Sequence, residues 1–458
     1  MASCLLTHQK DWSIDIPRVE EKDGVTYYVI NVRVGPVSWQ VQHRYREFSA
    51  LHATLVNDHG ISKDILPPKK MINKNPNFIE KRRTDLENYL SSILSLLLLT
   101  LPKPLSYFLD FDKYDVIVIL QKFMSNISND SCYKLKPTDD YHFQLIQVHA
   151  ISERLKLPCP PVNMVGFQHD FSVILDFCSN LHKVTISEVN SSVGSSNINK
   201  SMLYFELSSF KSLRKLVLNK IDPVNLIKAE DLRQKLEYIT VIWCELKQIC
   251  DILLCDTLHR STITEANSWN KLVEADFSHN KIEIVDDSLK LLPNIESLSL
   301  SSNLIYQMPK IEGLDNLQRL YLSKNSISSF EGLNLKFSKL VFLDLSQNCI
   351  ISLKGLECLC ELQGINLGSN KIEHINELDH MTNLQKLEYI VLTGNPLSTV
   401  IDYRVKILEK FGERASKICL DNEQTTQQEL DTVAVLHAIR FVKEGKSPKT
   451  STFVSYAH

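Results

Sequence analysis

The sequence predicts two modules in tandem. The first is α+β, a three-stranded antiparallel sheet with helices. The second is an α/β solenoid of short parallel strands with a helical C-terminal cap. Three observations carry this reading. Apolar residues alternate in three runs near the N-terminus, a nine-residue leucine frame recurs with asparagine at a fixed place, and two helical patterns follow the last frame. The composition agrees: of 458 residues, 64 are Leu and only 13 Gly, a skew toward leucine-packed layers rather than a loop-rich all-β fold.

Residues 11–115 form the first module. Trp12-Ser13-Ile14, Thr26 to Val32 and Ser38 to His43 alternate like three antiparallel strands. Tyr45 to Asn57 then shows a helical period through Phe48, Leu51, Leu55 and Val56. A proline loop follows, Leu66-Pro67-Pro68-Lys69-Lys70, and a further helix is expected from Phe78 to Leu99. Residues 116–200 are less patterned. They read as a linker and N-terminal cover of the solenoid, with a helix-like stretch from Phe143 to Leu157 and a Ser/Asn-rich loop at 190–199.

Residues 201–400 hold the repeat. Asn280, Asn303, Asn325, Asn348, Asn370 and Asn395 recur at gaps of 23, 22, 23, 22 and 25. Each ends the frame L-x-x-L-x-L-x-x-N, as in Leu317, Leu320, Leu322, Asn325 and Leu340, Leu343, Leu345, Asn348. This is the leucine-rich repeat pattern at its expected period. The Leu-x-Leu pair is a short strand with both side chains in the core. The Asn turns inward, where its amide can bond backbone groups that lack a ladder partner. Weaker frames precede: Leu236, Ile239 and Val241 with Cys244 at the ladder place, Leu213, Leu216 and Leu218 with Ile221, and Leu181, Val184 and Ile186 as a candidate earlier start. Residues 401–445 read as a helical cap with helices near Asp402 to Leu408 and Gln427 to Val442, and 446–458 as a disordered tail.

Positions flanking the inward leucines face outward on the sheet. Tyr238, Arg319, Tyr321, Phe342 and Tyr389 are the protein-binding candidates, because aromatic and Arg side chains on a rigid surface are what interface hot spots are made of. The other reading is that the rings only pack on one another. Other function classes are disfavoured. Net charge is -3, against bulk capture of nucleic acid. The longest apolar run, Ile93 to Leu101, falls short of the roughly 20 residues a bilayer span needs. No secretory signal is expected from the first ten residues. The 11 Cys lack a C-x-x-C pair, so no metal site is expected and free thiols in a reducing cytosol are. No phosphate-cradling Gly loop or catalytic triad is legible, so no enzyme and no cofactor are expected.

The first module resembles the PX (phox homology) family of lipid-head-group domains. Arg44-Tyr45-Arg46-Glu47-Phe48 matches its Arg-Tyr-x-x-Phe motif, Leu66-Pro67-Pro68-Lys69 its proline loop and Lys, and Arg82, Leu86 and Tyr89 its helical motif. The resemblance implies phosphatidylinositol 3-phosphate as ligand, with Arg44 on the 3-phosphate, Tyr45 under the ring, Lys69 on the diester phosphate and Arg82 on the inositol hydroxyls. The charge pattern is consistent: from Lys63 to Arg83, seven basic residues stand against two acidic. Lys70, Met71, Ile72 and Arg83 are secondary membrane-contact candidates.

A PX module followed by leucine-rich repeats resembles the nischarin family, also called imidazoline receptor candidates. Further echoes are His43-Arg44-Tyr45 and Phe411 to Ser416 running on to Glu429-Leu430-Asp431-Thr432-Val433. The resemblance implies a non-enzymatic scaffold, cytoplasmic and peripheral on early or recycling endosomes. Its implied partners are Rac-pathway kinases and small GTPases, and its implied role is to restrain cell migration. Family members continue past the repeats, so an integrin-tail contact is doubtful for a chain that stops at His458. The alternative is a receptor for small cationic imidazoline-type ligands, for which the repeats offer no nameable acidic pocket.

Overall fold

The computed structural model describes residues 12–35, 37–68, 76–97, 100–129, 140–156, 171–188, 203–257, 263–309, 313–330 and 339–443. The chain divides into two units, Met1–Asp231 and Leu232–His458.

The first unit opens with an antiparallel meander, β1 Trp12–Lys22, β2 Val25–Val34 and β3 Val37–Arg44. Its inward residues include Ile14, Val29, Val32, Trp39 and Val41. The β1–β2 register slips between Asp15 and Arg18, at Pro17, which has no N–H to give to the ladder. Helix α1 (Tyr45–His59) follows β3 directly and ends at Gly60, whose φ of 65° gives the left-handed stop glycine tolerates best. Helix α2 runs Pro76–Leu97, starting and ending close to the expected Phe78 and Leu99. Short helices α3 (Lys103–Phe108) and α4 (Phe111–Tyr114) then close the core. Trp39 Nε1 donates to the Leu109 carbonyl at 2.7 Å, and its ring meets Phe111 and Tyr114. Phe48 of α1 sits among Tyr28, Tyr89 and Phe108.

The segment expected as linker and cover differs from that expectation. After α5 (Val116–Asn129), β4 (Asp140–Gln144) pairs in parallel with β5 (Lys183–Ser187), which pairs with β6 (Lys215–Asn219). Parallel strands therefore start at Asp140, well before residue 200. The stretch expected as helix from Phe143 splits into β4 and α6 (Leu145–Leu155), and α7 (Ser172–Asn180) precedes β5. The reason is chemical: aromatic residues stand where the repeat has leucine. Tyr141 and Phe143 oppose Val184 and Ile186 in register, and their rings cluster with Phe123 of α5 and Phe177.

The second unit stacks β7 (Tyr238–Ile242), β8 (Glu274–Asp276), β9 (Ser297–Ser299), β10 (Arg319–Tyr321), β11 (Phe342–Asp344), β12 (Gly364–Asn366) and β13 (Tyr389–Val391) in parallel. The central residues Leu298, Leu320, Leu343, Ile365 and Ile390 are at most 1% exposed. Each ladder Asn does two jobs. Asn348 Nδ2 donates to the carbonyls of Leu322 in the previous repeat and Leu345 in its own, at 2.9 and 3.0 Å. Its Oδ1 accepts from Ile327 N at 3.0 Å. Asn280, Asn303, Asn325, Asn370 and Asn395 repeat the pattern. After β13 come β14 (Cys419–Leu420), parallel to it, β15 (Glu423–Gln424), and helices α8 (Tyr403–Phe411) and α9 (Gln427–Lys443). Arg404 of α8 joins Glu429 of α9 at 2.8 Å and the Leu420 carbonyl at 2.8 Å.

Replacing Asn348 by Ala removes the side-chain amide that serves these buried backbone groups. At about 1 kcal/mol or more for each group left unmet, Asn348→Ala is expected to lower stability by roughly 2–4 kcal/mol. Chemical denaturation followed by far-UV circular dichroism checks this. A midpoint equal to wild type would show that water replaces the amide.

Candidate lipid-binding site and outer sheet face

Three of the four expected lipid residues meet at the β3–α1 junction and the start of α2. Arg44 ends β3 and precedes α1, with extended backbone (φ -90°, ψ 157°). Its Nε donates to Glu47 Oε1 at 3.1 Å and its N–H to Glu47 Oε2 at 3.2 Å, and the side chain remains 41% exposed. Tyr45 opens α1, and its hydroxyl donates to the Pro67 carbonyl, tying the start of the proline loop to this corner. The Arg82 guanidinium carbon lies 4.7 Å from the centre of the Tyr45 ring and 4.4 Å from that of Phe78, within cation–π reach of both. Arg82 Nη2 is shut away from solvent, with no acceptor in hydrogen-bond geometry among the described residues. Burial pushes the Tyr28 and Tyr45 hydroxyls up, and the positive Arg82 opposes it at both.

Leu86 and Tyr89 are the buried backing of this corner. Tyr89 is 1% exposed, its hydroxyl 3.3 Å from His52 Nδ1. Two residues of this corner, Phe78 and Tyr28, were not among the expected lipid contacts. Phe78 was legible in principle, since it lies four residues before Arg82 on one helical face. Tyr28 was not, because it arrives from β2 through cross-strand pairing with His43. Lys69, Lys70, Met71 and Ile72 lie outside the described residues.

Arg83 departs from the membrane-contact expectation. Its guanidinium donates to the Ile16 carbonyl, to Glu80 Oε1 at 2.8 Å and to Glu87 Oε2 at 3.2 Å, and only 19% of the side chain is exposed. Glu87 Oε2 in turn accepts from Ile16 N at 2.8 Å. The slip at Pro17 leaves the Ile16 backbone groups without strand partners, and Arg83 and Glu87 supply them. Adjacent arginines thus face opposite tasks, Arg82 toward Tyr45 and Arg83 toward β1.

In the second unit, Tyr321, Phe342 and Tyr389 form one row on the sheet. Their ring centres are 5.7 and 6.4 Å apart. Gly364 lies between Phe342 and Tyr389, and a Cβ there would stand 2.8 Å from Phe342 Cδ2. Arg319 is exposed at one end of the row. The Tyr389 hydroxyl donates to Asn422 Oδ1. Tyr238 is exposed but stands apart, since Glu274 and Ser297 occupy the matching places of β8 and β9. A second exposed aromatic, Trp243, stacks on His279 with centres 4.6 Å apart.

Comparison with known proteins finds both modules. Residues 34–112 match the PX domain model and residues 306–434 a leucine-rich repeat model. The chain is 30% identical over 227 residues to the serine/threonine-protein kinase 11-interacting protein of Gallus gallus, covering 48% of this chain and 21% of that protein. It is 34% identical over 137 residues to dynein axonemal light chain 1 of Chlamydomonas reinhardtii, covering 28% of this chain and 69% of that protein. A designed CISK-PX domain solved by X-ray methods is 31% identical, covering 21% of this chain and 97% of that one, at a TM-score of 0.20. The chain belongs to the leucine-rich-repeat proteins, and it carries a PX domain ahead of its repeats.

Arg83→Ala is expected to lower stability by about 1–3 kcal/mol, the scale of a hydrogen bond to a charged group. It is expected to leave the affinity of the folded fraction for phosphoinositide vesicles unchanged. Thermal denaturation beside vesicle flotation reads both. Lost affinity at full stability would return Arg83 to the membrane face.

Proposed function

We propose that this chain is a non-enzymatic adaptor of the nischarin type. Its PX domain binds phosphatidylinositol 3-phosphate on endosomal membranes, and its repeats hold signalling proteins. PX domains and leucine-rich repeats are binding modules, and an adaptor needs both. The observation that carries the lipid half is Arg82 lying against Tyr45 beside the half-exposed Arg44. An arginine lying on an aromatic ring, with a second arginine next to that ring in the chain, suits a phosphorylated inositol: a fork for the phosphate, donors for hydroxyls and a flat floor. Lys69 is proposed for the diester phosphate, and Lys70, Met71 and Ile72 for the bilayer surface.

The row Tyr321–Phe342–Tyr389 with Arg319 supports a protein-binding role for the outer sheet face. Rac-pathway kinases and small GTPases are the proposed partners, with restraint of cell migration as the outcome. A relative named as the interactor of a serine/threonine kinase favours the kinase class. Helices α8 and α9 are proposed to cap the repeats. An imidazoline-type ligand has no comparable support, because the outward residues of this row bring one cation and three rings rather than an enclosed acid.

Flotation with vesicles containing phosphatidylinositol 3-phosphate tests the lipid site. Arg44→Ala is expected to abolish co-flotation and Arg82→Ala to weaken it at least tenfold, about 1.4 kcal/mol or more. Wild-type flotation by Arg44→Ala would overturn the assignment. For the repeats, Tyr321→Ala/Phe342→Ala is expected to lose one specific partner from a kinase- and GTPase-containing pull-down while keeping vesicle binding. An unchanged partner set would move the protein site off this row.

A further inference from the structure

His43 is held by two acceptors at once. Its Nδ1 lies 2.9 Å from Glu47 Oε2, and its Nε2 lies 2.6 Å from the Phe108 carbonyl oxygen. A peptide carbonyl has no proton to give. Burial pushes the Glu47 carboxyl up, but hydrogen bonds from His43 and Arg44 outweigh it and hold Glu47 below its usual range, so it too accepts. A neutral imidazole carries one N–H and satisfies only one such partner. Both contacts together need the doubly protonated ring. His52 is the contrast within the same module. Its Nε2 faces the Lys63 carbonyl at 3.2 Å, but its Nδ1 faces the Tyr89 hydroxyl, which can donate, so the neutral ring suffices.

Among the described residues, His43 is met by α3, α1 and β2. Helix α3 contributes the Phe108 carbonyl and ring, stacked on the imidazole at 3.9 Å. Helix α1 contributes Glu47 and the edge-on Phe48 ring. Strand β2 contributes Tyr28, opposite His43 in register and itself beside Arg82. The next residue along the chain is Arg44, whose Nε and N–H both bond the same Glu47.

We propose that His43 and Glu47 are a positioning pair for Arg44, and that protonation of His43 strengthens head-group binding. Glu47 orients the Arg44 guanidinium through its Nε and leaves the terminal nitrogens for a phosphate. The charged imidazole holds Glu47 in place and offsets its negative charge. When His43 loses its proton, one of its two contacts fails, and an uncompensated Glu47 competes with the phosphate for Arg44. Binding therefore weakens as His43 gives up its proton. The lipid phosphomonoester acts in the opposite sense, because it gains charge as pH rises through about 6. The effect of His43 is thus read as a difference between variants on the same vesicles. The inference rests on Arg44 being the phosphate ligand.

The test uses the whole chain and phosphatidylcholine vesicles carrying phosphatidylinositol 3-phosphate, with affinity measured between about pH 5.5 and 8. The ratio of low-pH to high-pH affinity is expected to be about threefold larger for wild type than for His43→Gln, the scale of a partly exposed ion pair. His43→Arg, which keeps the positive charge, is expected to hold the low-pH affinity at high pH. Glu47→Gln is expected to lose the His43-dependent part of the profile as well. A merely structural role for the pair would scale affinity at every pH and leave the ratio alone. Equal ratios for wild type, His43→Gln and His43→Arg would overturn the proposal. If His43→Gln fails to fold, His43→Arg against wild type carries the comparison alone. Arg44→Ala separates the two levels. If it binds as well as wild type, the lipid-site reading fails. If it loses binding while the ratios stay equal, only the positioning pair fails.

Discussion

The second unit depends on one interaction, the bond between each ladder asparagine and the backbone of the repeat before it. Leucine burial supplies the driving force, but apolar contacts are non-directional and do not set register. Strands of three residues make few ladder hydrogen bonds. Where they end, carbonyls such as Leu300, Leu322 and Leu345 would lie buried without partners, which is costly. Each instead receives two amide donors, one from its own repeat's Asn and one from the next. The same arrangement sets the backbone. The residue before the Asn is left-handed at His279, Ser302, Lys324, Gln347 and Ser369, with φ between 55° and 57°. Such a conformation costs a non-glycine residue about 1–2 kcal/mol. The paired amide bonds offset that cost, so five of the six turns do without glycine, Gly394 before Asn395 being the exception, which accords with the scarcity of Gly in a chain so rich in turns.

The rule that buried backbone groups must find partners also explains the departures from the pattern. At the ladder place held by Cys244, the backbone N–H is taken by Asn280 Oδ1 from the following repeat. Past the last Asn, Asp421 accepts from Leu392 and Thr393 N–H at 2.7 and 3.0 Å. Burial pushes the Asp421 carboxyl up despite those bonds. In the PX domain, Arg83 and Glu87 do for Ile16 what asparagine does for the repeats. A charged side chain on a helix can therefore belong to a strand's hydrogen-bond accounts rather than to the surface its sequence position suggests.

This is why some features were legible in the sequence and others were not. The Asn frame could be read because one residue type at one spacing does the work in every turn. The meeting of Arg82 with Tyr45 at the end of β3 could be anticipated because the motifs that hold them are local. Arg83 departs from its expectation because one of its partners, the Ile16 carbonyl, lies on β1, 67 residues away, while Glu80 and Glu87 on its own helix look like ordinary surface pairs. The start of the parallel strands was missed because Tyr141 and Phe143 satisfy the core with rings, and a leucine frame cannot register them. The double contact of His43 was invisible for the same reason as the place of Tyr28. It depends on the Phe108 carbonyl, 65 residues on, which only the folded α3 brings within reach.

The aromatic row shows how a fixed backbone makes a surface that no single repeat contains. Neighbouring strands lie about 4.8 Å apart, so residues on β11 and β13, two strands distant, stand nearly 10 Å apart at their backbones. Yet the ring centres of Phe342 and Tyr389 are 6.4 Å apart, little more than the 5.7 Å between Tyr321 and Phe342 on adjacent strands. The rings must therefore lean together over β12, and only a residue without a side chain at that place permits it. Gly364 is that residue: its φ is not in the left-handed region, so space rather than backbone freedom is what requires glycine there. A larger side chain at 364 would cut Tyr389 off from the Tyr321–Phe342 pair. With Gly364, rings from three strands form one continuous half-buried apolar strip flanked by Arg319.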